Sequence, residues 1–537
     1  MLNIVLLSHG HLASGMKNTI ELIAGRQDNL FTYDAYVDGN SDIKAFLLDF
    51  LKIHLNEKVI VITDFLGGSV NNDAIECKNN YDFMFVKMSQ GWRLHSNVVY
   101  YYHRSGAMYR MIEENFLKWK KQENHKPLLI SGSRQVGKTY SILNFAKKHY
   151  LSYVYINFER DDDIRAFFEQ TSKPEEIMMN LQVFFPEADW KAKEILVILD
   201  EIQACPQALT SIKFLGTETP YDYILSGSLL GVAVNRTSSY PVGYVESMEM
   251  QPMGFMEFLY AVGLKAEHIS YLKECYTEKR RVNEGIHKEY MKHFRNYIII
   301  GGMPEAVKTF VETGDFVKTR NIQQQIVEGY YRDMAKYADA SEKIRTHECF
   351  RSIPLQLAKE NKKFQYKLVR KGGQAAHFEN SLQWLKDSGT ISFCYRLQCI
   401  DVPMEAYEES SVYKIYMSDT GLLLSQFKET VMQDILKNEL GVYKGAIYEN
   451  IVAQMLTFNK YSLHYFEPSS HSEIDFIIEQ DCGIVPIEVK SSMNTRARSL
   501  KAYIDKYEPK RALRFSIRNL NISERIEDYP LYMLMFL

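Results

Sequence analysis

The chain has 537 residues, a length that suits about three to four domains, and its 46% apolar and 24% charged content is that of a globular protein. A net charge of −3 excludes a global polyanion-binding signature, so any nucleic-acid contact must use local patches. Seven scattered cysteines form no CxxC pair and no zinc spacing, which points to reduced thiols in a cytoplasmic protein. No apolar run approaches the ~18–20 residues that span a bilayer, and the amino terminus lacks the basic segment of a signal peptide.

Within residues 1–88, Asn3–Ser8 and Val59–Thr63 read as short buried strands, and Leu12–Ala24 reads as a helix closed by Gly25. His9 and Asp64 then stand at carboxyl ends of strands, which converge on one crevice in a parallel sheet. A carboxylate beside an imidazole fixes its tautomer and raises its basicity. The stretches IVLLSHGHLASGMKNTIELIAG and VIVITDFLGGSVNNDA resemble the enzyme IIA component of the mannose-type sugar phosphotransferase system. The resemblance implies that His9 carries a phosphoryl group received from a phosphocarrier protein. It also implies that Asp64 supports His9, with Gly67, Gly68 and Ser69 in the adjoining loop.

The resemblance stops near Val86, so the sheet is expected to be cut short with an open apolar edge. Residues 89–107 carry no periodicity and read as a linker. Arg104-Ser105-Gly106 can be encoded by a ribosome-binding sequence. The expectation is therefore that Met108 is the natural start of an independent protein, with residues 1–107 a remnant joined to it by a frameshift.

From 108 to 285 the pattern is that of a P-loop module. An amphipathic helix over 110–122 precedes the strand Pro127–Ser131, the loop Gly132-Ser133-Arg134-Gln135-Val136-Gly137-Lys138-Thr139 and a helix to Tyr150. This is the Walker A spacing in its strand–loop–helix context. The loop N–H groups would cradle the phosphates of ATP, Lys138 would reach the β- and γ-phosphates, and the Thr139 hydroxyl would bind Mg²⁺. The apolar strand Ile195–Leu199 ends in Asp200 and Glu201. That spacing places Asp200 at the Mg²⁺ and Glu201 at an attacking water. Ser226, at the end of a third strand, is a candidate γ-phosphate sensor. The acids at 161–163 read as a helix start.

The set SGSRQVGKTY, ILVILDEIQ, YILSGSLL, PVGYVESMEMQPMGFMEFL and Gly301-Gly302-Met303-Pro304 resembles the prokaryotic AAA-like ATPases that carry a C-terminal domain of unknown function, over nearly all of 108–537. Many relatives have a basic residue where this chain has Tyr244; Arg236 is the substitute candidate.

Residues 286–400 read as helices followed by helix, turn, helix and strand pair, a winged-helix order. The candidate recognition helix starts near Gly373, and Lys362, Lys363, Lys367, Arg370 and Lys371 precede it. Two roles fit: contact with the phosphates of duplex DNA, or a packing adaptor with a solvated charged face.

Residues 401–537 show an acid on one strand, Asp475, and E-x-K on the next, Glu488 and Lys490, with Glu449 on a preceding helix. This is a PD-(D/E)xK arrangement. Asp475 and Glu488 would share Mg²⁺ while Lys490 orients water. The whole is a multidomain α/β chain: a truncated parallel IIA-like sheet, an AAA-type αβα module, a winged helix and a restriction-endonuclease-like domain. The expected activity is Mg²⁺-dependent ATP hydrolysis acting on or with DNA. A phosphohistidine carrier working through His9 and a nucleotide-gated protein-binding switch are the alternatives. Oligomeric state is open.

Overall fold

The computed structural model describes residues 2–37, 42–54, 58–63, 70, 73, 84–87, 108–192, 194–228, 241, 243–337, 340–359, 362–437, 444–469, 472–491, 498–523 and 525–537. The chain divides into two compact units, 1–101 and 102–537.

In the first unit, strands β1 (Leu2–His9), β2 (Leu30–Ala35), β3 (Lys58–Thr63) and β4 (Met84–Lys87) form a parallel sheet in the order β2-β1-β3-β4. The period of two decides the faces. Val5 and Leu7 of β1 pack with Val59 and Val61 of β3 and with the helix Ile43–Ile53, whereas Leu6 joins Ala13 and Leu30. The helix Leu12–Ala24 follows β1 as expected. The expected linker 89–107 and the loop with Asp64, Gly67, Gly68 and Ser69 lie outside the described residues.

The second unit opens with five parallel strands: β5 (Leu128–Ser131), β6 (Ser152–Asn157), β7 (Ile195–Asp200), β8 (Asp222–Ser226) and β9 (Glu246–Glu249), ordered β6-β7-β8-β5-β9. β7 is buried throughout, as a strand covered on both faces must be. Its Leu196 and Ile198 face one core; Ile195, Val197 and Leu199 face the other. All carboxyl ends lie along one edge, and the functional residues follow from that.

Beyond the helices Glu284–Ile300, Pro304–Thr313 and Phe316–Tyr337, the expected helix–turn–helix appears as Ala340–Leu357, Tyr366–Val369 and Ala375–Asp387. The remaining strands are β10 (Ile391–Leu397), β11 (Glu408–Met417), β12 (His464–Ser469), β13 (Ser472–Gln480), β14 (Gly483–Lys490), β15 (Leu513–Ser516), β16 (Asn521–Ile522) and β17 (Glu527–Pro530). They make one mixed sheet, ordered β11-β10-β12-β13-β14-β15-β17-β16.

Here the structure differs from the expectation of a separate wing. β10 pairs with β11, but its other edge pairs in parallel with β12, Tyr395 opposite His464. An edge of unpaired backbone groups needs a partner, and the C-terminal sheet supplies it. The expected 400/401 boundary therefore falls inside a hairpin of a continuous sheet. One hydrophobic core runs from Phe116 and Phe145 through Phe294 and Tyr297 to Tyr416, Phe476 and Leu534, so the second unit packs as a whole.

Candidate functional site

The glycine loop leaves β5 at Ser131 and enters the helix Lys138–His149. Gly132 has φ 136°, and a Cβ there would lie 2.2 Å from the Met250 carbonyl oxygen. Only glycine lets the loop approach that backbone, whose Met250 N–H donates to Ser131 O at 2.9 Å. The other end of the loop is held by Arg110. Its Nη1 donates to Val136 O at 2.6 Å and its Nη2 to Gln251 O at 2.7 Å, while Nε pairs with Glu257 Oε1 at 3.2 Å. Glu257 also accepts the N–H groups of Met111 and Gly254. Sequence reasoning singled out neither Arg110 nor Glu257. A lone acid in the apolar run Gly254-Phe255-Met256-Glu257-Phe258-Leu259 was the available signal, because a buried charge needs a partner.

Lys138 Nζ donates to Gly132 O at 2.8 Å and Ser133 O at 2.9 Å. Burial pushes its amine down to about 8, with Glu201 and Asp200 pulling the other way. The Thr139 hydroxyl donates to Asp200 Oδ2 at 2.8 Å, and so does the Tyr155 hydroxyl. Ser226 Oγ donates to Asp200 Oδ1, which also accepts the Glu201 N–H at 3.1 Å. Asp200, at the end of β7, is thus the point where the helix Lys138–His149, β6 and β8 meet. Tyr155 was not anticipated, because its place beside Asp200 follows from the β6–β7 register rather than from local spacing. Glu201 adopts a left-handed conformation, φ 53°. Burial raises its carboxyl above the usual range, against a hydrogen bond from Gln203 Nε2 at 2.5 Å.

The Thr139 hydroxyl and the Asp200 carboxylate are adjacent hard oxygen donors of the kind Mg²⁺ takes. Among the described residues there is no group of three or more His, Cys, Asp and Glu able to hold a metal. Arg236 lies outside the described residues, and Tyr244 is exposed.

Arg134 points out of the loop and forms an ion pair with Asp333 of the helix Phe316–Tyr337. Tyr330 of the same helix donates to Arg134 O at 3.2 Å, and Lys336 pairs with Glu159 at 3.0 Å. The Gly389 backbone lies against Ser133: a Cβ on Gly389 would be 3.1 Å from Ser133 N. The phosphate loop is therefore bonded directly to the C-terminal half.

In the first unit His9 ends β1, its ring stacked on Tyr36 with centroids 5.5 Å apart. Asp34, next along β2, accepts the Ser14 N–H at 3.0 Å and lies 3.3 Å from His11 Nδ1. Burial would raise its carboxyl, but the Ser14 and His11 contacts hold it below the usual range.

The residues predicted for the C-terminal site are brought together, in unexpected company. Glu449 pairs with Lys362, accepts from Tyr416 OH at 3.1 Å and lies 3.6 Å from Lys414 Nζ. Lys414, 1% exposed on β11, also pairs with Glu473 at 2.6 Å. Glu488 pairs with Lys490 through Oε1, while its buried Oε2 has no hydrogen-bond partner. Asp475 Oδ2 accepts the Val489 N–H at 2.7 Å. Burial, then Glu488 and Glu449, push the Asp475 carboxyl well above the carboxylate range. Burial would lower Lys414, but Glu449, Glu473 and Asp475 outweigh it and raise the ammonium. With three lysines answering its carboxylates, the cluster as arranged does not fit the divalent ion expected at Asp475 and Glu488.

The expected phosphate-contacting patch is also largely paired. Lys362 meets Glu449, Lys363 meets Glu467 at 2.5 Å and Arg370 meets Glu348 at 2.8 Å; Lys367 and Lys371 are exposed.

Four segments match known families: residues 3–85 the PTS system fructose IIA component, 124–259 the AAA domain, 291–432 a domain of unknown function (DUF8612) and 444–534 another (DUF4143). Residues 124–259 are an AAA-type P-loop domain. The chain is similar to a structure described as a phosphoenolpyruvate-dependent sugar phosphotransferase system permease from Klebsiella pneumoniae, at 31% identity and TM-score 0.15, over 16% of this chain and 64% of that one. It is similar to phosphotransferase system component EIIA from Streptococcus agalactiae, at 27% identity and TM-score 0.15, over 17% and 68%. It is also similar to Cdc6p from Pyrobaculum aerophilum, at 14% identity and TM-score 0.22, over 62% and 93%. The chain thus spans under two thirds of the Klebsiella protein's length. No curated protein matches it. No helix among the described residues is long and apolar enough to cross a membrane.

Proposed function

We propose that the second unit is an Mg²⁺-dependent ATPase whose nucleotide state is passed to its C-terminal half. The observation that carries this reading is the convergence of the Thr139, Tyr155 and Ser226 hydroxyls and the Glu201 N–H on Asp200 at one sheet edge, beside the loop that holds Lys138. The loop N–H groups and Lys138 bind the triphosphate. Thr139 and Asp200 hold Mg²⁺, which when bound draws charge from the phosphate oxygens. Glu201 takes the proton of the attacking water, a role suited to a carboxyl raised by burial. Phosphate arriving at the loop competes with Asp333 for Arg134, and that exchange is the signal to the helix Phe316–Tyr337.

The pairing of Lys362, Lys363 and Arg370 with carboxylates favours a switch directed at protein over one directed at DNA. ATP hydrolysis by the full chain with Mg²⁺, with and without duplex DNA and beside Lys138→Ala, tests both. Turnover lost in the mutant and indifferent to DNA supports the protein-directed switch. DNA stimulation at low salt that fades steeply as salt rises returns the DNA reading. Turnover unchanged in Lys138→Ala refutes the site.

A second activity is a phosphoryl carrier at His9, favoured by the position of His9 at the carboxyl end of β1, beside the start of the helix Leu12–Ala24. Transfer from a phosphohistidine carrier protein, absent in His9→Ala, is its test.

A further inference from the structure

The C-terminal cluster brings four carboxylates, Glu449, Glu473, Asp475 and Glu488, together with three ammonium groups, Lys362, Lys414 and Lys490. They come from the helix Lys444–Phe458, from β11, β13 and β14, and from the segment before Tyr366. By residue type the cluster holds four acids and three lysines, and burial favours the protonated form of Asp475. Asp475 Oδ2 accepts the Val489 N–H at 2.7 Å. A divalent ion draws oxygen ligands to ~2.0–2.6 Å. To reach Glu449 and Glu473 together it would have to expel Lys414, whose ammonium lies 3.6 Å from Glu449, 2.6 Å from Glu473 and 4.8 Å from the Tyr465 ring centroid. Glu488 Oε2 is the one buried carboxylate oxygen of the cluster with no hydrogen bond, and it offers a single ligand.

We propose that Lys414 is the resident cation of this cluster, held between Glu449 and Glu473 so that it pins the helix Lys444–Phe458 to the sheet, and that Glu449, Asp475 and Glu488 do not form a site for a divalent metal. Strand spacing that reads as a metal-dependent nuclease is here neutralised by a lysine from a strand far away in sequence.

The test uses the full chain carrying Asp200→Asn, which removes the other carboxylate expected to take the ion, with no nucleotide and with Mn²⁺ as the probe. Paramagnetic resonance reports bound Mn²⁺, and thermal unfolding reports stability. The expected result is no saturable Mn²⁺ binding with Lys414 in place. Adding Lys414→Ala lowers Tm, creates saturable binding and makes Tm rise with millimolar Mn²⁺. Saturable binding with Lys414 present that disappears in Asp475→Asn or Glu488→Gln would overturn the proposal. So would a folded Lys414→Ala chain with unchanged Tm. If Lys414→Ala does not fold, the measurement with Lys414 present decides alone.

Discussion

Thr139 and Asp200 lie 61 residues apart and are joined by a 2.8 Å hydrogen bond from hydroxyl to carboxylate. The bond ties the first turn of the P-loop helix to the end of the neighbouring acidic strand, and Glu201 follows directly. Glu201→Gln is expected to keep nucleotide binding and lose about 10²–10⁴-fold in turnover, the usual worth of a positioned general base. Asp200→Asn should instead weaken the Mg²⁺ dependence of nucleotide binding itself. Equilibrium binding of a fluorescent ATP analogue beside steady-state hydrolysis separates the two. Equal losses of binding in both variants would contradict the division of roles.

What was legible in the sequence was local. The loop Gly132–Thr139, the acids closing β7 and Ser226 closing β8 each announce themselves within a few residues, and parallel strands bring their ends to one edge. What was hidden was long-range. Arg110 and Glu257 are 147 positions apart, and only folding shows that they share one buried pocket. Tyr155 reaches Asp200 through strand register. Lys414 reads as a polar residue on an ordinary strand until β10 pairs with β12 and sets that strand at the end of the C-terminal sheet. The same pairing turned an expected wing into the start of a larger sheet.

The Arg110–Glu257 pair is 4% and 1% exposed. Removing one partner leaves a buried, uncompensated charge, which costs about 3–5 kcal/mol. Arg110→Ala is therefore expected to lower stability by that order. It also frees the Val136 carbonyl, so nucleotide affinity should fall even at temperatures where the chain is folded. Denaturant unfolding and nucleotide titration check the two effects. The double variant Arg110→Met with Glu257→Gln removes both charges while keeping an acceptor for the Met111 and Gly254 N–H groups, and should recover stability better than binding, because only the guanidinium orients the loop.

Arg134 is half exposed while its partner Asp333 is buried, and burial raises the Asp333 carboxyl despite the nearby guanidinium. Loss of the arginine should cost about 1–2 kcal/mol, less than a wholly buried pair because solvent screens the exposed side. Asp333→Asn is expected to act differently. It frees Arg134 for phosphate, so ATP should bind several-fold more tightly. The helix Phe316–Tyr337 should then show faster amide exchange without nucleotide, as wild type does with it. Unchanged affinity in Asp333→Asn would mean that the pair is structural and carries no signal.

Asp419 makes one contribution to the pH dependence of stability. It caps the helix Thr420–Ser425, accepting the Leu422 N–H at 2.8 Å, and it accepts the Gly302 N–H at 2.5 Å. Gly301 passes so close that a Cβ there would lie 2.2 Å from Asp419 Oδ1. Burial pushes its carboxyl up to about 6, although the backbone N–H groups of Gly302, Leu422 and Gly421 favour the ionised form. A folded-state value above the unfolded 3.8 means that the native chain binds the extra proton between those limits. The stabilisation from this group is thus fully present below about pH 3.8 and is lost as pH rises through about 6. The full shift corresponds to about 3 kcal/mol. Relative to Asp419→Asn, which cannot titrate, wild type should lose stability as pH is raised from 4 to 6 and run parallel to the variant above 7. Denaturant midpoints across that range measure the difference. A difference that stays flat, or that grows with pH, would show the carboxylate already ionised at pH 4, with the three N–H groups outweighing burial.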